Sequence, residues 1–221
     1  MRAAWLASLI TDTIYLAAGA WRAHAVGSPW QRALARRRYA ALAPRYDATV
    51  VPLPGYFAAL ETALAKLPDA PALALDVSTG TGAVLGPLRR RFPTCRVVAA
   101  DLSTAMLAQA VRNVGGSGMP VRFLAGDAAR LPFGDGRFDL VTVQNAFPVP
   151  RELVRVVRPG GWIVLCYPTG ALVPTRIVRA LVQELEDLGC APVHTGTAST
   201  GRFFLARRAG PDATGGGVAL W

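Results

Sequence analysis

The sequence is poor in the residue types that build metal centres and disulfide frameworks. Its 221 residues include three cysteines and two histidines. Cys95, Cys166 and Cys190 lie far apart, and no CxxC pair occurs. An odd number of isolated thiols argues against a disulfide framework and is typical of a reducing cytoplasm. His24 and His194 are too few for a metal cluster, so we expect no metal site.

Lysine is nearly absent, since Lys66 is the only one, yet arginine is abundant and the net charge is +10. The two dense clusters are 36–38 and 89–91, and the second falls at the expected end of a helix, where positive charge is favourable. The other basic residues are scattered along the chain. We therefore do not expect a nucleic acid as the partner.

Charged residues are also scarce in residues 3–21, which are mostly apolar. Asp12 interrupts this run, and a charge in the middle of a membrane span is costly. The apolar residues share one side of a helical wheel, which predicts an amphipathic helix. Three interpretations remain: a helix packed on the domain, a helix that contacts a partner or a membrane surface, and a span. The second would make a cytoplasmic protein peripheral to a membrane.

The first 70 residues lack a strand pattern and are expected to form a helical cap region. Prolines are expected to break its helices at five places: Pro29, Pro44, Pro52, Pro54 and Pro68. From residue 72 onward, short apolar runs alternate with helical segments, which predicts an α/β, Rossmann-like domain over residues 71–209. Its last two strands, 191–197 and 202–207, are joined too closely for a crossover and predict an antiparallel hairpin. Residues 210–221 are glycine-rich and are expected to form a flexible tail.

Glycine or acidic residues follow each of the first three predicted strands. The turn Asp76–Gly82 follows the first strand, Asp101 ends the second, and Asp127 follows the third. Ligands of parallel sheets bind outside the carboxyl ends of the strands, and glycines let the backbone approach them closely. Asp101, about 20 residues after the turn, suits the two hydroxyls of a ribose. Asp127 suits an adenine amino group, and three apolar side chains are placed to sandwich the ring: Leu102, Met106 and Leu131.

A dinucleotide does not fit this turn. Its fingerprint requires a third glycine where this chain has Leu85, and its second mononucleotide-binding half is replaced by the closing hairpin. Asp76 would also repel a pyrophosphate, whereas it suits a ligand with an ammonium group. These features favour S-adenosylmethionine, which carries an ammonium and a sulfonium and no phosphate.

Residues 73–165 resemble the small-molecule class I S-adenosylmethionine-dependent methyltransferases, particularly those of ubiquinone and menaquinone biosynthesis. The resemblance rests on six stretches: 75–82 (LDVSTGTG), 100–107 (ADLSTAML), 123–128 (FLAGDA), 131–133 (LPF), 137–141 (RFDLV) and 157–161 (VRPGG). Upstream, Tyr39 and the segment Ala43–Asp47 resemble a short segment that lies over the cofactor in such relatives. Tyr46 would then help to close the pocket.

The resemblance implies a seven-stranded, mostly parallel sheet with an antiparallel last strand and S-adenosylmethionine as the cofactor. It implies that the turn holds the methionine part, that Asp101 holds the ribose, and that Asp127 and Ala128 hold the adenine. The expected cofactor-binding residues are Asp76, Ser78, Thr79, Gly80, Gly82, Asp101, Leu102, Met106, Asp127, Ala128, Gln144 and Asn145. Of these, Gln144 and Asn145, together with Phe147, stand where relatives place residues beside the sulfonium.

Two departures from the resemblance concern the turn and the acceptor side. Ser78 replaces the usual first glycine, and the segment Val143–Pro159 is shorter than the acceptor-pocket segment of relatives. We expect methyl transfer to a small, apolar or lipid-like acceptor. The alternative is a non-catalytic cofactor-binding or partner subunit of the same fold, and a third hypothesis, based on charge alone, is an RNA methyltransferase. No catalytic base is evident, and His194 and Tyr46 are the candidates.

Overall fold

The structure, a computed structural model, describes residues 29–210. The predicted amphipathic helix at 3–21, His24 and nearly all of the predicted tail lie outside the described residues. Two helices come first, α1 (Pro29–Thr49) and α2 (Ala58–Ala65). The strands and helices that follow are β1 (Leu73–Val77), α3 (Leu85–Arg91), β2 (Arg96–Asp101), α4 (Thr104–Val114), β3 (Val121–Ala125), β4 (Phe138–Gln144), α5 (Pro150–Val156), β5 (Val157–Tyr167), a 3-10 turn (Gly170–Leu172), α6 (Thr175–Asp187), β6 (Cys190–Ala198) and β7 (Gly201–Arg208).

Helix α1 corrects one expectation, because Pro44 lies inside it and does not break it. Proline removes one helical hydrogen bond and crowds the preceding turn. A proline inside a helix is most readily accommodated on the solvent side, where the backbone bends away from the core. Pro44 is exposed, whereas its neighbour Ala43 is buried. The packing of the inner face therefore holds the helix together across the proline.

The seven strands form one sheet in the order β3-β2-β1-β4-β5-β7-β6. Neighbouring strands from β3 to β5 are parallel, and β7 is antiparallel to both β5 and β6. The predicted Rossmann-like sheet with an antiparallel last strand and closing hairpin is therefore confirmed. The strand order reverses between β1 and β4, which is where such sheets bind their ligands. The proposed division at residue 70 stays a prediction.

Each face of the sheet is covered by its own helices and its own apolar core. One core joins β1, β4 and β5 to α5 and α6, and includes Val141 and Leu181. The other joins the opposite pleat of the same strands to α2 and α3, and includes Leu60 and Leu88. Because successive side chains of a strand point to opposite faces, Asp76 shares a face with Ala74 of the second core.

Among residues 29–210, no helix combines the length and the apolar character that crossing a membrane requires.

Candidate active site

A cavity of about 380 Å³ lies between the carboxyl ends of β1 to β4 and helix α1. Its sheet wall comes from the strand ends and the loops after them, and we call the opposite side the α1 wall. The sheet wall consists of Val77, Ser78, Gly80, Ala100, Asp101, Leu102, Ser103, Met106, Gly126, Asp127, Ala128, Leu131, Gln144, Asn145, Ala146 and Phe147. The α1 wall consists of Trp30, Arg32, Leu34, Ala35, Arg36, Arg38, Tyr39 and Tyr46.

The glycine-rich turn after β1 folds back on the end of β2. The Thr79 N–H donates to the carbonyl of Ala100 at 3.0 Å, and the Gly80 N–H donates to Asp101 Oδ2 at 2.8 Å. Gly80 has a φ of 56°, and a Cβ built there meets no atom within 4 Å. The backbone at Gly80 therefore borders open space in which a ligand can approach it closely.

Ser78 has a φ of 57°, a left-handed conformation that glycine adopts without strain. The serine that replaces the usual glycine therefore adopts this conformation at a cost of about 1–2 kcal/mol. Gly82, with a φ of 81°, has a packing role, since a Cβ there would lie 3.3 Å from the Cβ of Ala110 in α4.

Asp101 is already oriented by backbone donors. Its Oδ2 accepts from Gly80 and its Oδ1 accepts from the Ser103 N–H at 2.8 Å. Burial raises the pKa of this carboxyl, and the N–H groups of Ser103 and Gly80 oppose that effect. Ser103 then caps α4 by accepting from the Met106 N–H at 3.4 Å. The same short segment thus places an acid and the apolar Leu102 and Met106 on the cavity.

Asp127 lies at the far end of the cavity, after β3. Its Oδ1 accepts from the Ala129 N–H at 2.9 Å, and its Oδ2 lies 3.4 Å from Arg32 Nε of α1. Ala128 and Leu131 line the cavity beside it. Arg32 therefore already pairs with the carboxylate that was expected to accept from an adenine amino group.

Asp76, expected among the cofactor ligands, is completely buried and lies beneath the turn, outside the cavity lining. Its Oδ1 accepts from the Thr142 hydroxyl of β4 at 2.7 Å. Burial raises the pKa of Asp76 to about 7, against the lowering effect of the Thr79 and Thr142 hydroxyls. Thr79 is also buried and outside the lining. Both residues support the turn from below.

Gln144 and Asn145 lie at the end of β4 and line the cavity, as predicted. Gln144 Nε2 donates to the carbonyl of Tyr56 at 3.3 Å, and its Oε1 is buried without a hydrogen-bond partner. A buried acceptor beside a cavity is costly unless a donor reaches it. Together with the open space at Gly80, this oxygen fits the ammonium-bearing methionine part of S-adenosylmethionine.

The two candidate bases lie in different environments. Tyr46 lines the cavity, with its hydroxyl 3.4 Å from that of buried Tyr56. Burial and the neighbouring Tyr46 raise the pKa of Tyr56 well above its ordinary value. His194 is exposed on β6, the edge strand, and does not line the cavity. We therefore do not propose a catalytic role for His194.

Two side chains of the site had no role assigned from the sequence, although Asp47 belongs to the segment Ala43–Asp47 that was expected over the cofactor. Asp47 of α1 accepts from the Thr81 hydroxyl of the turn and, at 2.7 Å, from Asn113 Nδ2 of α4. Tyr56 positions both Gln144 and Tyr46. These contacts join residues 10 to 88 positions apart. The spacing of apolar residues along the sequence predicts helices and strands, but it does not predict hydrogen bonds between residues so far apart.

Within residues 29–210, no three metal-ligating side chains of the His, Cys, Asp and Glu types are grouped as a metal ion requires.

The sequence profile of the family described as "Methyltransferase domain" matches residues 74–161. The demethylmenaquinone methyltransferase of Thermus thermophilus is 43% identical over 114 residues, which are 48% of this chain and 50% of that protein. The chain thus spans about half the length of the curated relatives it matches.

Solved structures of the same fold cover more of the chain. An S-adenosylmethionine-dependent methyltransferase from Aquifex aeolicus has a TM-score of 0.60 at 19% identity, covering 79% of this chain and 98% of that one. A chain from the complex between the Haloferax volcanii Trm112 methyltransferase activator and a methyltransferase has a TM-score of 0.65 at 18% identity, covering 79% and 97%. Residues 74–161 of this chain thus match a methyltransferase domain, and the chain is similar in sequence and in fold to S-adenosylmethionine-dependent methyltransferases.

Proposed function

We propose that this chain transfers a methyl group from S-adenosylmethionine to a small, apolar or lipid-like acceptor. The observation that carries the proposal is a single cavity with two different walls. The sheet wall supplies the turn, Asp101 and Asp127, whereas the α1 wall supplies aromatic and aliphatic side chains such as Trp30 and Leu34. A cofactor on the sheet wall would leave the α1 wall for the acceptor.

The residues would divide the cofactor among the strand ends. Asp101 would accept from the ribose hydroxyls, and Asp127 with Ala128 would hold the adenine between Leu102 and Leu131. The backbone at Gly80 and the free Oε1 of Gln144 would hold the methionine part. The turn residues Ser78, Thr79, Gly82 and Asp76 would fix the shape of this cradle from beneath and beside it. When bound, S-adenosylmethionine supplies a methyl group activated by its sulfonium.

The protein's own task is then alignment and the exclusion of water. Tyr39 and Tyr46 are the phenolic side chains of the described cavity lining. The Tyr46 hydroxyl lies 3.4 Å from that of Tyr56. We propose Tyr46 as the group that orients the acceptor through a hydrogen bond from its hydroxyl.

The class of acceptor is supported by the relatives that share residues of this domain. They are named demethylmenaquinone methyltransferases, after an apolar quinone. The α1 wall offers aromatic and aliphatic side chains to such a ring, including Trp30, Leu34 and Tyr39. A reduced demethylmenaquinone with a shortened side chain is therefore the first acceptor to test.

The first experiment is calorimetric titration of the purified chain with S-adenosylmethionine. We expect saturable binding, with the Asp69→Ala variant as a matched control because Asp69 is exposed and outside the cavity. The second experiment follows transfer of a labelled methyl group to the shortened quinol. Absence of any heat with the wild-type protein would overturn the proposal at its first step.

A second candidate function is cofactor binding without methyl transfer. It is favoured by the short connection between β4 and α5, which consists only of residues 145–149. A connection of this length supplies few residues to enclose an acceptor. Saturable cofactor binding with no transfer to quinol, phenol or carboxylate acceptors would favour this second function.

A further inference from the structure

We propose that the α1 wall binds the anionic group of an amphiphilic acceptor through Arg36, while Trp30 and Leu34 cover its apolar part. This inference rests on the proposed function and narrows its lipid-like acceptor to an amphiphile with a carboxylate, sulfonate or phosphate group, a class that the uncharged shortened quinol does not represent. It concerns the side of the cavity that the cofactor does not require.

The first argument is the balance of charge around the cavity. Three arginines line it, Arg32, Arg36 and Arg38, against two acids, Asp101 and Asp127. Both acids are engaged, Asp101 with two backbone N–H groups and Asp127 with Arg32. The cofactor adds a sulfonium and an ammonium against one carboxylate. An acceptor with a negative charge would offset the excess.

The second argument is the position of Arg36 itself. Its side chain is exposed on the cavity side, and no carboxylate of residues 29–210 forms an ion pair with it. Arg37, its neighbour, is equally exposed but does not line the cavity. A charged side chain at a cavity mouth that pairs with no carboxylate of the described residues is available to a ligand, and an arginine suits planar anions in particular.

The third argument separates Arg36 from the cofactor's own carboxylate. Helix α1 spans the cavity from the adenine end, where Arg32 meets Asp127, to the turn, where Asp47 meets Thr81. Arg36 is one turn of helix beyond Arg32, and it lies eleven residues, or roughly 16 Å, from Asp47. The methionine carboxylate belongs near the turn, so Arg36 faces the middle of the cavity instead.

The fourth argument is the exposed apolar surface at the same mouth. Trp30 is 67% exposed and Leu34 is 60% exposed, and both line the cavity. Residues four apart lie side by side on a helix, so the two form one apolar ridge. Single exposed apolar side chains are common on proteins, but an apolar ridge beside an unpaired arginine matches an amphiphile with its charge at one end.

The test uses two fluorescent probes with the same anilinonaphthalene rings, 8-anilinonaphthalene-1-sulfonate and the uncharged N-phenyl-1-naphthylamine, which lacks the sulfonate group. Each is titrated into the full chain with and without saturating S-adenosylhomocysteine. We expect the sulfonate to bind about tenfold more tightly, as a hydrogen bond to a charged group allows. The Arg36→Gln variant should lose that preference, and the Arg37→Gln variant should keep it.

Competition sharpens the assignment. Octanoate, which carries both a carboxylate and a chain, should displace the sulfonate probe, whereas inorganic phosphate at equal concentration should not. Equal binding of the two probes overturns the inference, as does an equal loss in both arginine variants or equal displacement by phosphate. Cofactor binding is measured separately by calorimetry. A chain that binds S-adenosylmethionine without preferring the anion refutes the inference alone, and the reverse result refutes the proposed function alone.

Discussion

The two walls of the cavity are built in different ways. On the sheet wall, strand ends hold each other, so that Asp101 is fixed by the N–H groups of Gly80 and Ser103 before any ligand arrives. On the α1 wall, side chains of one helix make the contacts: Asp47 accepts from Thr81 and Asn113 at one end, and Arg32 pairs with Asp127 at the other. Under the proposed function, cofactor recognition would reside in the sheet wall, and acceptor recognition would reside in helix α1.

The largest expected effect concerns the buried acid beneath the sheet wall. Asp76 has an ordinary pKa of 3.8, which burial raises to about 7 in the folded protein. Below pH 4 the Asp76 carboxyl is protonated in both the folded protein and the unfolded chain, so its burial does not lower the free energy of unfolding. As the pH rises, the unfolded chain releases the proton first, so stability falls until the pH passes about 7, by at most roughly 4 kcal/mol. Asp76→Asn should therefore be the more stable protein at pH 8 and equal to wild type near pH 4.

The measurement is urea unfolding of both proteins across this pH range. Asp139→Asn is the control with the opposite sign. Burial alone would raise the pKa of Asp139, but Arg158 and the N–H groups of Leu73 and Ala72 outweigh it and hold that pKa below its usual range. The ionised Asp139 carboxylate therefore stabilises the fold above the ordinary pKa of an aspartate, and this stabilisation is lost as the pH falls. Parallel pH slopes for wild type and Asp76→Asn would show that the sheet wall is wetter than its burial indicates.

The second prediction tests the orientation of the ribose acid. Asp101→Ala should lower the affinity for S-adenosylmethionine about hundredfold, because hydrogen bonds to a charged group contribute about 1.5–3 kcal/mol each. It also leaves the Gly80 and Ser103 N–H groups without their acceptor. Calorimetry measures the change, with Asp69→Ala as the control. An affinity within threefold of wild type would mean that the sheet wall does not carry cofactor recognition.

This difference between the walls also explains what the sequence predicted. Asp101 and Asp127 were identifiable because parallel strands bring their carboxyl ends to one edge, so a residue's position in its strand fixes its place in the site. No such rule places Asp47 and Tyr56 in the site, because their hydrogen-bond partners depend on how α1 packs over the turn. The same packing overrode the expectation that Pro44 would end the helix. The candidate base His194 was placed by sequence order alone, which does not reveal that β6 is the far edge.

The third prediction loosens the α1 wall while leaving the sheet wall intact. Asp47→Ala removes the acceptor for Thr81 and Asn113, so α1 should exchange its amide hydrogens faster and the cofactor should bind about tenfold more weakly, since the two hydrogen bonds involve a carboxylate. The Asp47→Asn variant retains one acceptor oxygen, so its amide exchange rate and its cofactor affinity should lie between those of wild type and of Asp47→Ala. Hydrogen exchange by mass spectrometry should show no change in β1 and β2. Faster exchange in those strands would mean that the two walls form one cooperative unit.

The smallest expected effect concerns the strained residue at the junction of the two walls. Ser78 adopts a φ of 57°, so Ser78→Gly should raise stability by about 1 kcal/mol, the relief of left-handed strain less the added freedom of the unfolded chain. For a chain of this size the melting temperature should rise by about 2–4 °C. Ser78→Ala retains the strain and should show no gain. A similar rise in both variants would trace the effect to the loss of the hydroxyl. The Ser78→Gly variant could gain stability and yet bind the cofactor less tightly. That result would mean that the strained serine holds the turn in the shape that binds the cofactor, so that the sheet wall is kept rigid at the expense of stability.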